Sequence, residues 1–170
     1  MDVPTIETDR VRLRPLADAD VEELLPAVYA PGIAEWWGDT SDPDHQREGF
    51  RNDGAAFAID TADGDLAGWL CFHEETEPDY LEVSFDILVL PAFQGRGLGP
   101  AALRAAIRWF ADHRGHHRFS IDPSATNARA IRAYSSVGFK PVGTLRRAER
   151  APSGHWRDSL LMDLLIEELA

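Results

Sequence analysis

Apolar and polar positions change period several times along the chain, and each change predicts an element. Over residues 6–13, IETDRVRL, Val11 and Leu13 alternate with charged neighbours, the two-residue period of a strand. Asp20 can then cap a helix in which Val21, Leu24, Leu25 and Val28 share one face. Pro26 lies inside that pattern; without an N–H it kinks or ends the helix there. Residues 31–53 are polar and aperiodic, broken by Pro31, Gly32, Gly38 and Pro43, and read as a loop with short helical pieces. Ala55 to Asp60 and Leu66 to His73 read as two strands joined by the turn Thr61-Ala62-Asp63-Gly64-Asp65. Leu81 to Leu90 is a longer, more apolar strand, VSFDILVL at its heart, which Pro91 ends.

In the second half, Leu103, Ile107 and Phe110 give an apolar stripe to a helix over about Pro100 to His113. Arg118 to Asp122 is a short strand. Asn127 to Val137 forms a helix with Ile131 and Tyr134 on one face, closed by Gly138. Two strands follow, about Lys140 to Glu149 and Arg157 to Leu165. Strands before and after each helix make a mixed α/β class, and 170 residues suit one domain over 1–170.

Composition narrows the functions open to such a domain. With 44% hydrophobic and 27% charged residues, the chain can bury a core without disulfide or metal staples. The single cysteine, Cys71, excludes an intrachain disulfide and reads as a small core residue among Trp69, Leu70 and Phe72. A net charge of −12 argues against a nucleic-acid binder and against adsorption to anionic membranes. Met1 to Arg14 lacks the apolar stretch of a secretory signal, and no run approaches the ~18 apolar residues of a membrane span. The expected location is the cytoplasm, as a monomer or homodimer. Charge is also uneven. Residues 1–90 hold 22 acidic side chains against 5 arginines, and residues 91–170 hold 7 acidic against 12 basic ones. One end that attracts a cation and another that tolerates an anion would suit a two-substrate enzyme.

The segment Gln94-Gly95-Arg96-Gly97-Leu98-Gly99 follows a strand and opens a helix. Free N–H groups and the positive end of the helix dipole meet there, a geometry that binds phosphate. The Walker lysine is absent, since Lys140 is the only lysine, and the preceding strand is not the first of a βαβ repeat.

This loop resembles the Q/R-x-x-G-x-G/A loop of the GNAT superfamily of acetyl-CoA-dependent N-acyltransferases. Asp122-Pro123-Ser124-Ala125-Thr126-Asn127-Ala128-Arg129-Ala130-Ile131-Arg132-Ala133-Tyr134 resembles the second signature of that superfamily, and Ser135-Ser136-Val137-Gly138-Phe139 continues it. Glu35-Trp36-Trp37-Gly38 and the run Glu74-Glu75-Thr76-Glu77-Pro78 are similar to a narrower group, the aminoglycoside 6′-N-acetyltransferases. The resemblance implies a GNAT-type fold: a mostly antiparallel sheet with splayed strands, flanked by helices. It implies acetyl-CoA as cofactor. The pyrophosphate would lie on Gln94, Gly95, Arg96, Gly97, Leu98 and Gly99, Asn127 would bond the pantetheine arm, and Arg129 would also belong to the cofactor site. The strand at Leu88 and Val89 would pair with pantetheine, and an N–H near Leu88 would polarise the thioester carbonyl. Tyr134 would protonate the departing thiolate. One residue departs from the pattern: Pro100 stands where Thr or Ser is common, which suits a first helical position but removes one phosphate donor.

The acceptor side rests on single residues. Asp86 interrupts an apolar strand, a costly place for a carboxylate unless it faces solvent or a ligand. The resemblance puts it where the subgroup keeps a catalytic aspartate; Glu82, on the same strand face, is the second candidate base, and Asp122 the third. Asp122 before Pro123 equally suits a turn, and the subgroup motif makes it an amine ligand. Trp36 and Trp37, with Glu75 and Glu82, would complete a site for a sugar carrying ammonium groups. His113, His116 and His117 sit at a helix end, where cationic side chains are common, and no metal is expected. The implied activity is acetylation of a primary amine on a polycationic small molecule, an aminoglycoside 6′-amine in the first place, with antibiotic resistance as its consequence. Acetylation of protein N-termini is the alternative, since Arg12-Leu13-Arg14-Pro15-Leu16 resembles the ribosomal-protein acetyltransferases. A non-catalytic acyl-CoA-binding domain comes third.

Overall fold

A computed structural model describes residues 3–170. Its first strand is two short ones. Ile6–Glu7 (β1) and Val11–Pro15 (β2) form an antiparallel hairpin, because the Thr8 hydroxyl accepts the N–H groups of Arg10 and Val11 and closes a turn inside the expected strand. Helix α1, Asp18–Leu24, starts after Ala17 rather than at Asp20. Asp20 sits in the first turn and its carboxylate reaches back to accept the Ala17 N–H at 2.8 Å. Arg14 of β2 bridges Asp20 (2.6 Å) and Asp60 (2.7 Å) and so fastens α1 to the sheet. Burial raises the Asp20 carboxyl, but the Arg14 and Ala17 hydrogen bonds outweigh it and hold the group below its usual range. At Pro26 the α-helix gives way to a 3₁₀ turn, Leu25–Tyr29.

The segment expected to be mainly loop contains a full helix, Pro43–Arg51 (α2). Asp42 caps it by accepting the N–H groups of Asp44 and His45, and Pro43 occupies its first position. Only Phe50 gives this helix a deeply buried apolar anchor, so no apolar stripe announces it. Ion pairs Arg47–Glu22 and Arg51–Asp18 join it to α1.

The remaining elements are β3 (Ala56–Thr61), β4 (Leu66–Glu75), β5 (Glu82–Val89), α3 (Leu98–Arg114), β6 (Arg118–Ile121), α4 (Ala128–Ser135), β7 (Lys140–Arg150) and β8 (Trp156–Leu165). The eight strands form one sheet in the order β1-β2-β3-β4-β5-β6-β8-β7, antiparallel except at β5–β6. Strand alternation divides the core between its two faces. Phe57, Phe72, Phe85 and Phe119 meet Leu103, Ile107 and Phe110 of α3 on one face. Ala56, Trp69, Cys71 and Leu88 meet Val21, Leu24, Val28 and Phe50 on the other. No helix among the described residues is long and apolar enough to cross a membrane.

The parallel pair carries the functional geometry. β5 stays in register with β4 from Glu82–Glu75 to Val89–Gly68. It pairs with β6 only at Val83–Phe119 and Ser84–Ser120. Beyond Ser84 the two strands splay, and the β5 edge from Asp86 to Val89 is left facing a gap. Gly68 allows the β4 backbone to lie close to β5 there: a Cβ would stand 2.2 Å from the Leu88 carbonyl oxygen.

Candidate active site

A cavity of about 710 Å³ occupies the splay. Its walls are β5 from Asp86 to Val89, the glycine loop, the chain after β6 at Asp122 to Ser124, and one side of α4 with Asn127 and Tyr134. The 32–39 loop with Trp36 and Trp37, and Glu149 of β7, close the remaining side.

The glycine loop forms the phosphate-ready end. Gly95 (φ 77°) and Gly97 (φ 75°) adopt left-handed conformations that turn the chain into α3. α3 starts at Leu98, two residues earlier than expected, so Pro100 is its third residue and not its first. That position has no intrahelical acceptor in any case, so the helix loses no bond, but the N–H groups offered to an anion are those of Leu98 and Gly99. The Arg96 guanidinium lies over the Phe93 ring at 5.2 Å and does not line the cavity. Its carbonyl accepts a 2.6 Å bond from Arg10, whose guanidinium also lies 3.5 Å from where a Gly97 Cβ would be. Sequence reasoning had no signal for Arg10, which comes from the β1–β2 turn, 86 residues away. Gln94 and Arg129 both line the cavity and bond to each other. Gln94 donates to the Val89 carbonyl (3.0 Å) and accepts from Arg129 (2.6 Å), which also donates to the Gly32 carbonyl (3.0 Å). Asn127 caps α4 by accepting the Ala130 N–H, and its side chain lines the cavity.

The other end is acidic. Asp86, Asp122 and Glu149 all border the cavity. Asp86 is open to it, yet protein encloses the carboxyl on its other sides. That enclosure raises its pKa, the charge of His73 and the Cys71 thiol partly offset this, and Glu149 adds to it. Asp122 is raised as well, by enclosure first and then by the charges of Asp86 and Glu149. Negative neighbours thus disfavour ionisation of both Asp86 and Asp122, which makes a site that a multiply charged cation relieves. Tyr134 projects from α4 against Phe139, ring centroids 6.4 Å apart. Burial, and then the charge of Asp86, push its phenol well above its ordinary value, so it keeps its proton.

The two tryptophans differ in their tasks. Trp37 stacks on Phe50 (5.6 Å) and donates to Gln46 at 2.6 Å, so much of it is packing. Trp36 lies at the rim with Arg157 5.9 Å from its ring. Arg157 donates to the carbonyls of Glu35 (2.5 Å) and Trp36 (2.9 Å) and to Glu149 (2.6 Å), tying the aromatic loop to a cavity carboxylate. Neither Glu149 nor Arg157 stood out in the sequence. Glu75 and Glu82 are not brought to this cavity. They face each other across β4–β5 at its far end, in a smaller pocket of about 220 Å³ with His73 and Ser84. Glu82 there is engaged by Arg118 and Ser120. Of the three histidines near the end of α3, His116 is buried against Glu74 at 2.7 Å and His113 stacks on Trp109.

The acetyltransferase (GNAT) domain family matches residues 10–140. Streptothricin acetyltransferase of Streptomyces lavendulae is 35% identical over 103 residues, 61% of this chain and 53% of that protein, so the match spans about half of that relative. An aminoglycoside N(6′)-acetyltransferase type 1 of Klebsiella pneumoniae is 28% identical, with 84% of this chain and 80% of the relative covered. Among solved structures, Mycobacterium smegmatis RimJ in complex with CoA-disulfide has a TM-score of 0.82 at 23% identity, covering 97% of this chain and 88% of its own. Spermidine N-acetyltransferase from Vibrio cholerae, with CoA and spermine, gives 0.79 at 20% identity, covering 95% and 98%. At these identities the structural likeness concerns the fold.

Proposed function

We propose, from the premise that this chain belongs to the GNAT acetyltransferase family and transfers acetyl groups from acetyl-CoA, that its acceptor is a primary amine of a polycationic small molecule, with an aminoglycoside 6′-amine foremost. The observation that carries this reading is the convergence of Asp86, Asp122 and Glu149 on the cavity at the β5–β6 splay.

The residues present fit acetyl-CoA. The left-handed glycines leave the Leu98 and Gly99 N–H groups for the pyrophosphate, with Arg10 beside them. The β5 edge at Leu88 and Val89 offers backbone groups to the pantetheine, and Asn127 lies across the gap from it. Bound there, acetyl-CoA supplies the acetyl group as a thioester. Asp86 binds the acceptor ammonium and takes its proton, because only the neutral amine attacks a carbonyl. Its raised pKa makes it a stronger base than an ordinary carboxylate. Asp122 and Glu149 hold further ammonium groups, and Trp36 covers a ring face. The N–H near Leu88 would polarise the thioester carbonyl; as the C–S bond breaks, Tyr134, which holds its proton until then, would give it to the departing sulfur, and the second proton of the acceptor nitrogen would pass to the Tyr134 phenolate.

The competing reading is N-terminal acetylation of a protein. The Arg12–Leu16 stretch that suggested it belongs to β2 and its exit, where Arg14 is committed to Asp20 and Asp60 and Arg12 pairs with Glu7. A thiol-release assay with acetyl-CoA across kanamycin, spermidine and N-terminal peptides separates the two. Turnover is expected with kanamycin and much less with the peptides; robust peptide acetylation without any aminoglycoside product transfers the assignment to the second reading.

A further inference from the structure

Strands β4 and β5 bring three different metal-ligand types together beside the cavity. Cys71 and His73 stand two residues apart on β4, so they share a face, and Asp86 of β5 lies directly opposite Cys71 in the register. One ligand atom from each, a sulfur, a nitrogen and an oxygen, lies within 4.8 Å of the other two. Cys71 Sγ is 3.9 Å from Asp86 Oδ2. Ligands at about 2.0–2.3 Å from a tetrahedral zinc are roughly 3.3–3.8 Å apart, so an approach of about 1 Å completes the set. Cys71 is 3% exposed and supplies a fixed floor. Asp86 opens on the large cavity and His73 on the small one, which gives an ion a path in and leaves its fourth position to water.

We propose that Cys71, His73 and Asp86 bind one divalent cation of the zinc type, and that its binding switches the acetyltransferase off. A mixed thiolate, imidazole and carboxylate set suits a borderline-soft ion and not magnesium or calcium. On binding, the Cys71 S–H bond breaks, its proton passes to solvent, and the sulfur pair forms the bond to the metal; imidazole and carboxylate donate lone pairs, and nothing is oxidised. Inhibition follows from charge and occupancy. A carboxylate engaged by a dication has lost its basicity, and the dication repels the ammonium acceptor. The binding half stands on the strand geometry alone; the inhibitory half rests on Asp86 as the base.

The test titrates the purified protein with cobalt(II) chloride and follows the thiolate-to-cobalt charge-transfer absorption in the near ultraviolet. The expected result is one equivalent of cobalt with that band, displaced by zinc chloride. Cys71→Ser, close in volume, should lose the band, and His73→Gln, at an exposed position, should weaken binding by more than about tenfold, since even outer partners of a metal ligand are worth about 10–100-fold. In the thiol-release assay, zinc should lower wild-type turnover and a chelator should restore it. Cys71→Ser and His73→Gln, each measured against its own metal-free turnover, should need correspondingly more zinc for half-inhibition. Absence of the band in the wild type overturns the site. The band with undiminished turnover in zinc overturns the switch, as does equal zinc sensitivity in both variants. If the band is present and Asp86→Asn turns over normally, the base assignment fails and the site stands. If the band is absent and that variant is inactive, the reverse holds.

Discussion

Asp86 carries two separable consequences, one for chemistry and one for stability. Asp86→Asn keeps size and hydrogen bonding but removes basicity. Turnover of a kanamycin-like acceptor should fall by about 10²–10⁴-fold, with acetyl-CoA affinity unchanged. Normal turnover would move the base to another carboxylate or to water. Stability should change with the opposite sign. The native carboxyl is raised above its unfolded value, so its favourable contribution is complete below the unfolded value and is lost as pH rises through the folded one. Asp86→Asn, neutral throughout, should therefore melt higher than the native chain at neutral pH, and the gap should close towards about pH 4, the ordinary carboxylate range. Thermal melts at both pH values check this; a gap of one size at both would mean that enclosure of the charge is not its cause. Asp86 was legible because a carboxylate inside VSFDILVL contradicts its surroundings. Glu149 was not. It lies in KPVGTLRRAER, where charged neighbours are the rule and register shifts between Leu145 and Glu149 defeat a two-residue period.

At the scale of elements, sequence periodicity found what a periodic apolar face creates: β3, β4, β5, β8, α3 and the α4 region. It failed where a side-chain hydrogen bond or a left-handed glycine sets the boundary. The Thr8 turn splits β1 from β2, Asp42 starts α2 without an apolar stripe, and Gly97 begins α3 ahead of Pro100. The glycine loop was readable because its conformation demands glycine. Gly97→Val places a β-branched residue at φ 75°, a strained position for it, with the new side chain beside Arg10 in the phosphate space. Calorimetry should find CoA binding abolished; unchanged affinity would move the phosphate site elsewhere. The tie between elements that no local pattern announces is Arg157, on β8, which holds the Trp36 loop and Glu149 together. Arg157→Met should raise the acceptor KM by roughly tenfold, the equivalent of one charge-assisted hydrogen bond of about 1.5 kcal/mol, and leave the acetyl-CoA KM in place. Equal changes in both constants would show a general loss of structure instead.

For the whole molecule, the division of charge between the two halves of the sequence does not become a division between two ends of the site. Many acidic groups of residues 1–90 are spent on ion pairs: Glu22 and Asp44 on Arg47, Asp18 and Glu48 on Arg51, Asp20 and Asp60 on Arg14. Two of the three converging carboxylates, Asp122 and Glu149, come from the basic half, delivered there by β6 and β7. The local field at the cavity is therefore made by three carboxylates, while the net charge of −12 sets the field at a distance. These two parts respond differently to salt. The Debye length shrinks from about 30 Å at 0.01 M to about 8 Å at 0.15 M, so distant charges are screened while groups in contact are screened much less. For an aminoglycoside, kcat/KM should fall steeply over that range; for a singly charged amine it should fall only slightly. Acetyl-CoA, an anion approaching an anionic protein, should lose nothing and can gain. Measuring kcat/KM for the three against ionic strength tests whether the overall acidity recruits the acceptor. A flat profile for the polycation would confine recognition to Asp86, Asp122 and Glu149 and leave the surplus negative charge without a part in catalysis.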